Sequence, residues 1–174
     1  NTNNNLQTCS DLNLKEAIPD SFLIEMHNLY KPILDNILSK LCPLKIHLID
    51  SYEYQLVATG KNFQYPIHDD IAKKLLSTVV YLAPEENMGT IFYSSPKYKF
   101  GEKLISPIES TTVKWRQNRA LIFSRIEQKT WHAYQGDGKN NRLALVVNVT
   151  TERPDEVNKI ESSDNFRKTI TWSP

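Results

Sequence analysis

Gln64-Tyr65-Pro66-Ile67-His68-Asp69-Asp70 is the stretch on which the reading of this chain turns. Taken as the end of a β-strand, it sends residues two apart to the same side. His68 and Asp70 then converge on one point, and Asp69 faces away; a bend after His68 would reverse that choice of carboxylate. A third donor must come from elsewhere in the fold. Of the four histidines, His27 falls in a helical pattern and His47 in an early strand pattern, neither with a partner nearby. His132 follows a strand and a turn, beside Trp131, and Arg142 lies ten residues further on, at the start of another strand.

Around that stretch the pattern is one of short strands. Upstream, Leu44, Ile46 and Leu48 alternate with Lys45, His47 and Ile49, and Tyr52, Tyr54 and Leu56 follow in similar fashion, which predicts one or two strands. Gly60-Lys61-Asn62 is a turn. Downstream, Ile71 to Leu75 is ambiguous, and strands are expected over 77–82, 89–93, 111–115 and 119–124. Residues 94–110 form a long polar connection with Lys97, Tyr98, Lys99 and Phe100, whose composition is open to two readings, a lid over a site or a solvated loop. Gly136 to Asn141 is a strong turn signal, and Arg142 to Thr150 is the clearest strand of the chain.

Ahead of the strands comes one helix. Asp20 or Ser21 suits its cap, and Glu25 puts a carboxylate near its first turn. Phe22, Met26, Leu29, Ile33 and Ile37 recur at helical spacing as an apolar stripe; Pro32 is placed to kink or divide the helix, and Pro43 ends it. Residues 1 to about 10 read as a frayed end. One helix, about eight short strands, few glycines and no β-α-β alternation predict an antiparallel sandwich or barrel. The expected organisation is a single domain over 1–174: a helical region (18–43), a β core (44–150), and an extension (151–174) packed outside or partly disordered.

A chain of 174 residues suits one domain with a substantial core, and 40% hydrophobic with 24% charged residues is ordinary globular composition. A formal net charge of +1 gives no electrostatic case for nucleic acid or an anionic membrane. No apolar run approaches the ~20 residues of a membrane span. Asn1 to Asn5, polar and uncharged, does not read as a secretion signal. Two cysteines, Cys9 and Cys42, make neither a disulfide framework nor a zinc spacing. They read as free thiols of a reducing compartment, so a cytoplasmic location is expected.

Two imidazoles and one carboxylate on one face of a metal leave its other positions open, the ligand set of non-haem Fe(II) oxygenases. His68, Asp70 and His132 can supply that set. An arginine one strand away can hold a carboxylate by two parallel hydrogen bonds. A metal plus such a clamp is what a chelating 2-oxo diacid requires.

On these residues the chain resembles the Fe(II)- and 2-oxoglutarate-dependent dioxygenases, and within them the prolyl 4-hydroxylase-like group. Gln64 to Asp70 is similar to that group's Q-Y-x-x-H-x-D. Thr78 to Leu82, followed by Gly89-Thr90-Ile91-Phe92, resembles its next two strands, and Arg119 to Phe123 the strand before the second histidine. His132 with Arg142 matches an H-x9-[KR] ending. The likeness runs from about residue 18 to 150. It implies a helix preceding a double-stranded β-helix (jelly roll), with His68, Asp70 and His132 as iron ligands and Arg142 on the far carboxylate of 2-oxoglutarate. It also implies that the Tyr65 hydroxyl bonds the co-substrate and that Tyr81 belongs to the pocket wall. The co-reactants implied are Fe(II), 2-oxoglutarate and O2, with ascorbate as a supporting reductant, and the products are succinate, carbon dioxide and a hydroxylated C–H. By analogy the substrate is a prolyl residue in a peptide or protein; a free amino acid or another small metabolite stays open. Two departures stand out: Met88 replaces one of two usual glycines, and Arg142 stands where prolyl hydroxylases often carry lysine.

Two rival classes remain. A cupin-like metal-binding isomerase or small-molecule binding protein would bind a divalent metal without 2-oxoglutarate turnover, yet cupins usually bring three histidines, which are lacking near His68. A non-catalytic interaction domain that kept the fold would bind no iron. The sequence says nothing of oligomeric state.

Overall fold

The computed structural model describes residues 8–9, 19–94 and 109–169. In chain order these form β1 (Thr8–Cys9), α1 (Asp20–Leu41), a 3-10 helix (Pro43–Leu48), β2 (Ser51–Thr59), β3 (Gln64–His68), β4 (Lys74–Ala83) and β5 (Thr90–Tyr93). Then come β6 (Ser110–Val113), β7 (Ala120–Ser124), β8 (His132–Gln135), β9 (Arg142–Thr150), α2 (Pro154–Ser162) and α3 (Asp164–Thr169). The strands make two antiparallel sheets, ordered β1-β2-β9-β4-β7 and β3-β8-β5-β6. Apart from the two-residue β1, four strands belong to each sheet, and the chain passes back and forth between them. This is the double-stranded β-helix, or jelly roll.

β9 shows how the sequence separates two environments. It pairs with β2 over its whole length, from Ser51 opposite Thr150 to Thr59 opposite Arg142, and with β4 on its other side. Leu145, Val147 and Val149 join Met26, Leu34, Leu38 and Leu48 in the hydrophobic core. Arg142, Val146 and Asn148, on the other face, line a cavity between the sheets. β4 divides the same way: Leu76 and Val80 go to the core, Ser77 and Val79 to the cavity. The core therefore lies between α1 and the larger sheet, and the space between the sheets is left for a site. Burial of each large aliphatic side chain against α1 contributes about 1.5–3 kcal/mol.

α1 runs unbroken through Pro32 and starts behind Pro19 with no side-chain cap, so Asp20 lies in the first turn and neither it nor Ser21 caps. The expected stripe is also shifted. Met26 and Ile37 do face the core, with Leu34 and Leu38, but Phe22, Leu29 and Ile33 are 50%, 62% and 46% exposed. The helix carries apolar residues on more than one face, and contact with the sheet selects the stripe through Leu34 and Leu38.

Residues 43–48 are not a strand, as their alternation suggests, but a 3-10 helix opened by Pro43. Its buried side chains are Lys45 and Leu48, three apart as that helix requires. Beyond β9 the chain is helical where a weakly patterned extension is expected, and Val157 and Phe166 enter the core. Thr8 and Cys9 pair with Thr59 and Ala58 rather than fraying. The remainder of the expected frayed end, the lid residues 95–108, and residues 170–174 lie outside the described residues.

Gly89 is required by close approach: a Cβ there would lie 1.7 Å from the Val113 carbonyl oxygen. Met88 beside it is 41% exposed, so the departure from a glycine pair is accommodated at the surface. No helix among the described residues is long and apolar enough to cross a membrane.

Candidate metal centre

His68 stands opposite His132 in the pairing of β3 with β8. β3 is the edge strand of its sheet, and its register shifts between Tyr65 and His68. Pro66 sits within that irregularity, where a residue without an N–H is tolerated. The chain then leaves β3 through Asp69 and Asp70, and the ligand atoms of His68, Asp70 and His132 come within 4.8 Å of one another. His68 Nε2 is 4.0 Å from Asp70 Oδ1, and the imidazole centroids are 4.1 Å apart.

The hydrogen bonds around the triad orient it. His68 Nδ1 donates to the Pro66 carbonyl at 3.0 Å, and His132 Nδ1 to the Thr130 carbonyl at 2.8 Å. A carbonyl can only accept, so each Nδ1 carries a proton and Nε2 is the nitrogen each ring turns toward the triad. Burial, with the neighbouring His68, pushes the His132 pKa down to about 4, which keeps that ring neutral as a ligand must be. Asp70 accepts from Lys74 Nζ at 2.8 Å and from Ser77 Oγ at 2.7 Å. Burial alone would raise its pKa; the Lys74 charge and these hydrogen bonds more than offset that and hold it below the ordinary carboxylate value. Asp69 turns elsewhere, accepting from the Gln128 N–H at 2.7 Å and Thr130 Oγ1 at 2.9 Å. Asp70 is thus the carboxylate that meets the two histidines.

The triad and Arg142 line one cavity of about 360 Å3. Arg142 is 8% exposed, and its guanidinium lies 4.0 Å from the Tyr134 ring centroid and 5.8 Å from that of Trp115. Its buried Nε has no hydrogen-bond partner, and among the described residues no carboxylate forms an ion pair with it. Burial lowers its pKa, which Tyr134 and Tyr81 partly oppose. Asn148 Oδ1, on the same cavity wall, is also unpartnered. Leaving such groups buried and unsatisfied is costly, so water or a polar ligand in the cavity would stabilise them.

The two tyrosines singled out in the sequence are placed differently. Tyr65 lies at the cavity, 48% exposed, its ring centroid 4.4 Å from that of His68. Tyr81 is wholly buried and does not line the cavity. Its ring stacks on Trp115 at 4.3 Å, and its hydroxyl donates to Thr90 Oγ1 and accepts from the Thr90 N–H, both at 3.0 Å. Tyr134, which the sequence reading did not single out, lines the cavity beside Arg142. Strand alternation could have found it, because Tyr134 is two residues after His132; the same rule links Asn148 to Arg142 along β9. Lys74 has a weaker signal, four residues after Asp70.

No family model matches this chain, and no curated protein matches it in sequence. Solved structures match in three dimensions. A prolyl 4-hydroxylase from Phytophthora capsici aligns with a TM-score of 0.51 at 14% identity, over 84% of this chain and 47% of its own. A Pseudomonas putida prolyl-4-hydroxylase gives 0.48 at 16% identity, over 76% and 65%. An oxidoreductase of the 2OG-Fe(II) oxygenase family from Burkholderia pseudomallei gives 0.42 at 16% identity, over 59% and 48%. What is shared is the fold. The chain spans less than two thirds of each of these proteins, and at such identities the likeness is one of architecture.

The donor set itself has the chemistry to hold a metal and an acidic ligand. Two imidazoles and a carboxylate suit ferrous iron, and Arg142, which has no acid paired with it among the described residues, suits the free carboxylate of a diacid.

Proposed function

We propose that this protein is an Fe(II)- and 2-oxoglutarate-dependent dioxygenase that hydroxylates an unactivated C–H bond. The observation that carries the reading is Arg142: a buried guanidinium with an unpartnered Nε and no acid paired with it among the described residues, in the same cavity as the His68, Asp70 and His132 triad. His68, Asp70 and His132 would hold the iron. The chemistry supplied there is oxygen-dependent decarboxylation of 2-oxoglutarate to succinate and carbon dioxide, coupled to hydroxylation of the substrate. Arg142 would take the far carboxylate, with Tyr134 under the guanidinium fixing its plane. The apolar side chains of Val57, Val79, Phe123 and Val146 keep the space between the sheets dry. Tyr65, at the mouth, would bond the co-substrate.

For the primary substrate we infer a prolyl side chain of a peptide or protein, a reading that rests on the sequence resemblance. A cupin-like metal protein would leave Arg142 without a role.

The test is succinate release from 2-oxoglutarate with added Fe(II) under air and under nitrogen, screened over proline-containing peptides, free amino acids and single-stranded nucleic acid. Oxygen-dependent succinate is expected with a peptide. His68→Ala and His132→Ala should each lower it by about two orders of magnitude or more. Either variant turning over at the parental rate would overturn the triad assignment.

A further inference from the structure

We propose that Glu161, on α2 outside the jelly roll, is a positioning residue for the metal centre. The inference rests on the reading of His68, Asp70 and His132 as metal ligands.

Lys45, Arg125 and Glu161 meet almost out of contact with water, their side chains 0%, 7% and 2% exposed. Glu161 Oε1 accepts from Lys45 Nζ at 2.6 Å; Oε2 accepts from Arg125 Nη1 at 2.7 Å and from the Glu127 N–H at 2.9 Å. Lys45 Nζ also donates to the Arg125 carbonyl at 2.6 Å. Glu161 and Lys45 thus clamp both ends of the first turn of the loop that runs from Arg125 to Thr130.

That loop holds both ligand-bearing segments. Arg125 Nε donates to the backbone carbonyl of Asp70 at 3.0 Å. The Gln128 N–H and Thr130 Oγ1 hold Asp69 at 2.7 and 2.9 Å, and the Thr130 carbonyl receives the His132 Nδ1 proton at 2.8 Å. An ion cluster that only fastened α2 to the sheet would end at its cations; this one continues to the backbone of one ligand and the ring of another. Burying three charges is also a poor route to stability, since apolar replacements of similar volume are often as stable. What the cluster adds is a fixed separation between Asp70 and His132.

The experiment is a Co(II) titration of the purified protein, followed by visible absorption, beside its thermal midpoint. Glu161→Gln keeps the shape and removes the charge. Arg125→Lys keeps a cation for Glu161 and withdraws the Asp70 contact. Val157→Ala, on the same helix and in the core, destabilises without touching the network. Glu161→Gln and Arg125→Lys are expected to weaken Co(II) binding at least about tenfold and to change the band shape, whereas Val157→Ala stays within about twofold of the parent. Should Glu161→Gln not fold, Arg125→Lys carries the test. Loss of affinity that tracks the thermal midpoint in all three variants would overturn the proposal, as would parental binding by both network variants. A parent that takes up no stoichiometric Co(II) would sink the metal reading and this inference together; a parent that binds while both network variants bind equally well sinks this inference alone.

Discussion

Two sets of buried cations behave oppositely in this molecule. Lys45 and Arg125 share Glu161, and their contacts are short. Arg142 is about as buried as Arg125, yet among the described residues it has aromatic rings in place of an acid and an unpartnered Nε. A buried charge must be compensated. Where the described residues supply the acid, the charge belongs to the architecture; where they do not, the cation is open to an acidic ligand, as the proposed function requires. The contrast sorts the two arginines without reference to any relative.

The largest effect is expected on the paired side. Glu161→Ala leaves two buried cations without their acid and should destabilise the protein by about 3–5 kcal/mol, read as a lower urea midpoint. On the unpaired side the expectation reverses. Arg142→Met removes an uncompensated charge, so the urea midpoint should hold or rise. The KM for 2-oxoglutarate should rise roughly tenfold to a hundredfold, the loss of about 1.5–3 kcal/mol for hydrogen bonds to a charged group. Arg142→Lys restores the charge but not the two-pronged geometry and should fall between. If Arg142→Met destabilised as Glu161→Ala does, Arg142 would be a structural cation and the contrast would collapse.

The unpaired side of this comparison was the legible one. Arg142 opens the clearest strand, and β9 begins and ends where its alternation says it should. Strand geometry put His68 and Asp70 on one side, and the resemblance implied that His132 joins them. The paired side was hidden. Lys45 sits in a run that imitates a strand, and Glu161 lies 116 residues away in a segment with weak periodicity. In a sequence, lysines and glutamates read as surface; only the fold shows that these are in the core. The stripe of α1 failed for a related reason: periodicity shows that a helix has an apolar face, but where two such faces exist, the partner decides between them. Tyr81, which the resemblance places on the pocket wall, stacks on Trp115 instead: its position on β4 indicates which face it takes but not how far along the sheet the cavity extends.

A third ion pair shows what the contrast looks like at the surface, and there the smallest effect is expected. Arg153 Nη2 lies 3.2 Å from Asp50 Oδ1, and Asp50 also accepts from the Glu152 N–H at 2.8 Å and Thr151 Oγ1 at 3.0 Å. The Glu152 N–H above all, then Thr151 and Arg153, hold the Asp50 carboxyl below its ordinary value of 3.8. A carboxylate with a depressed folded-state pKa stabilises the protein above its unfolded-state pKa, and that contribution is lost as pH falls through the folded value, because the unfolded chain binds the proton more readily. Asp50→Asn should therefore be slightly less stable than the parent at about pH 7, and the difference should close toward about pH 2. Thermal midpoints of the two proteins across that range are the measurement. The gap at neutral pH should also shrink with added salt, since exposed charges are screened and buried ones much less so. A salt-insensitive gap as large as that of Glu161→Ala would mean that burial is not what separates these charges.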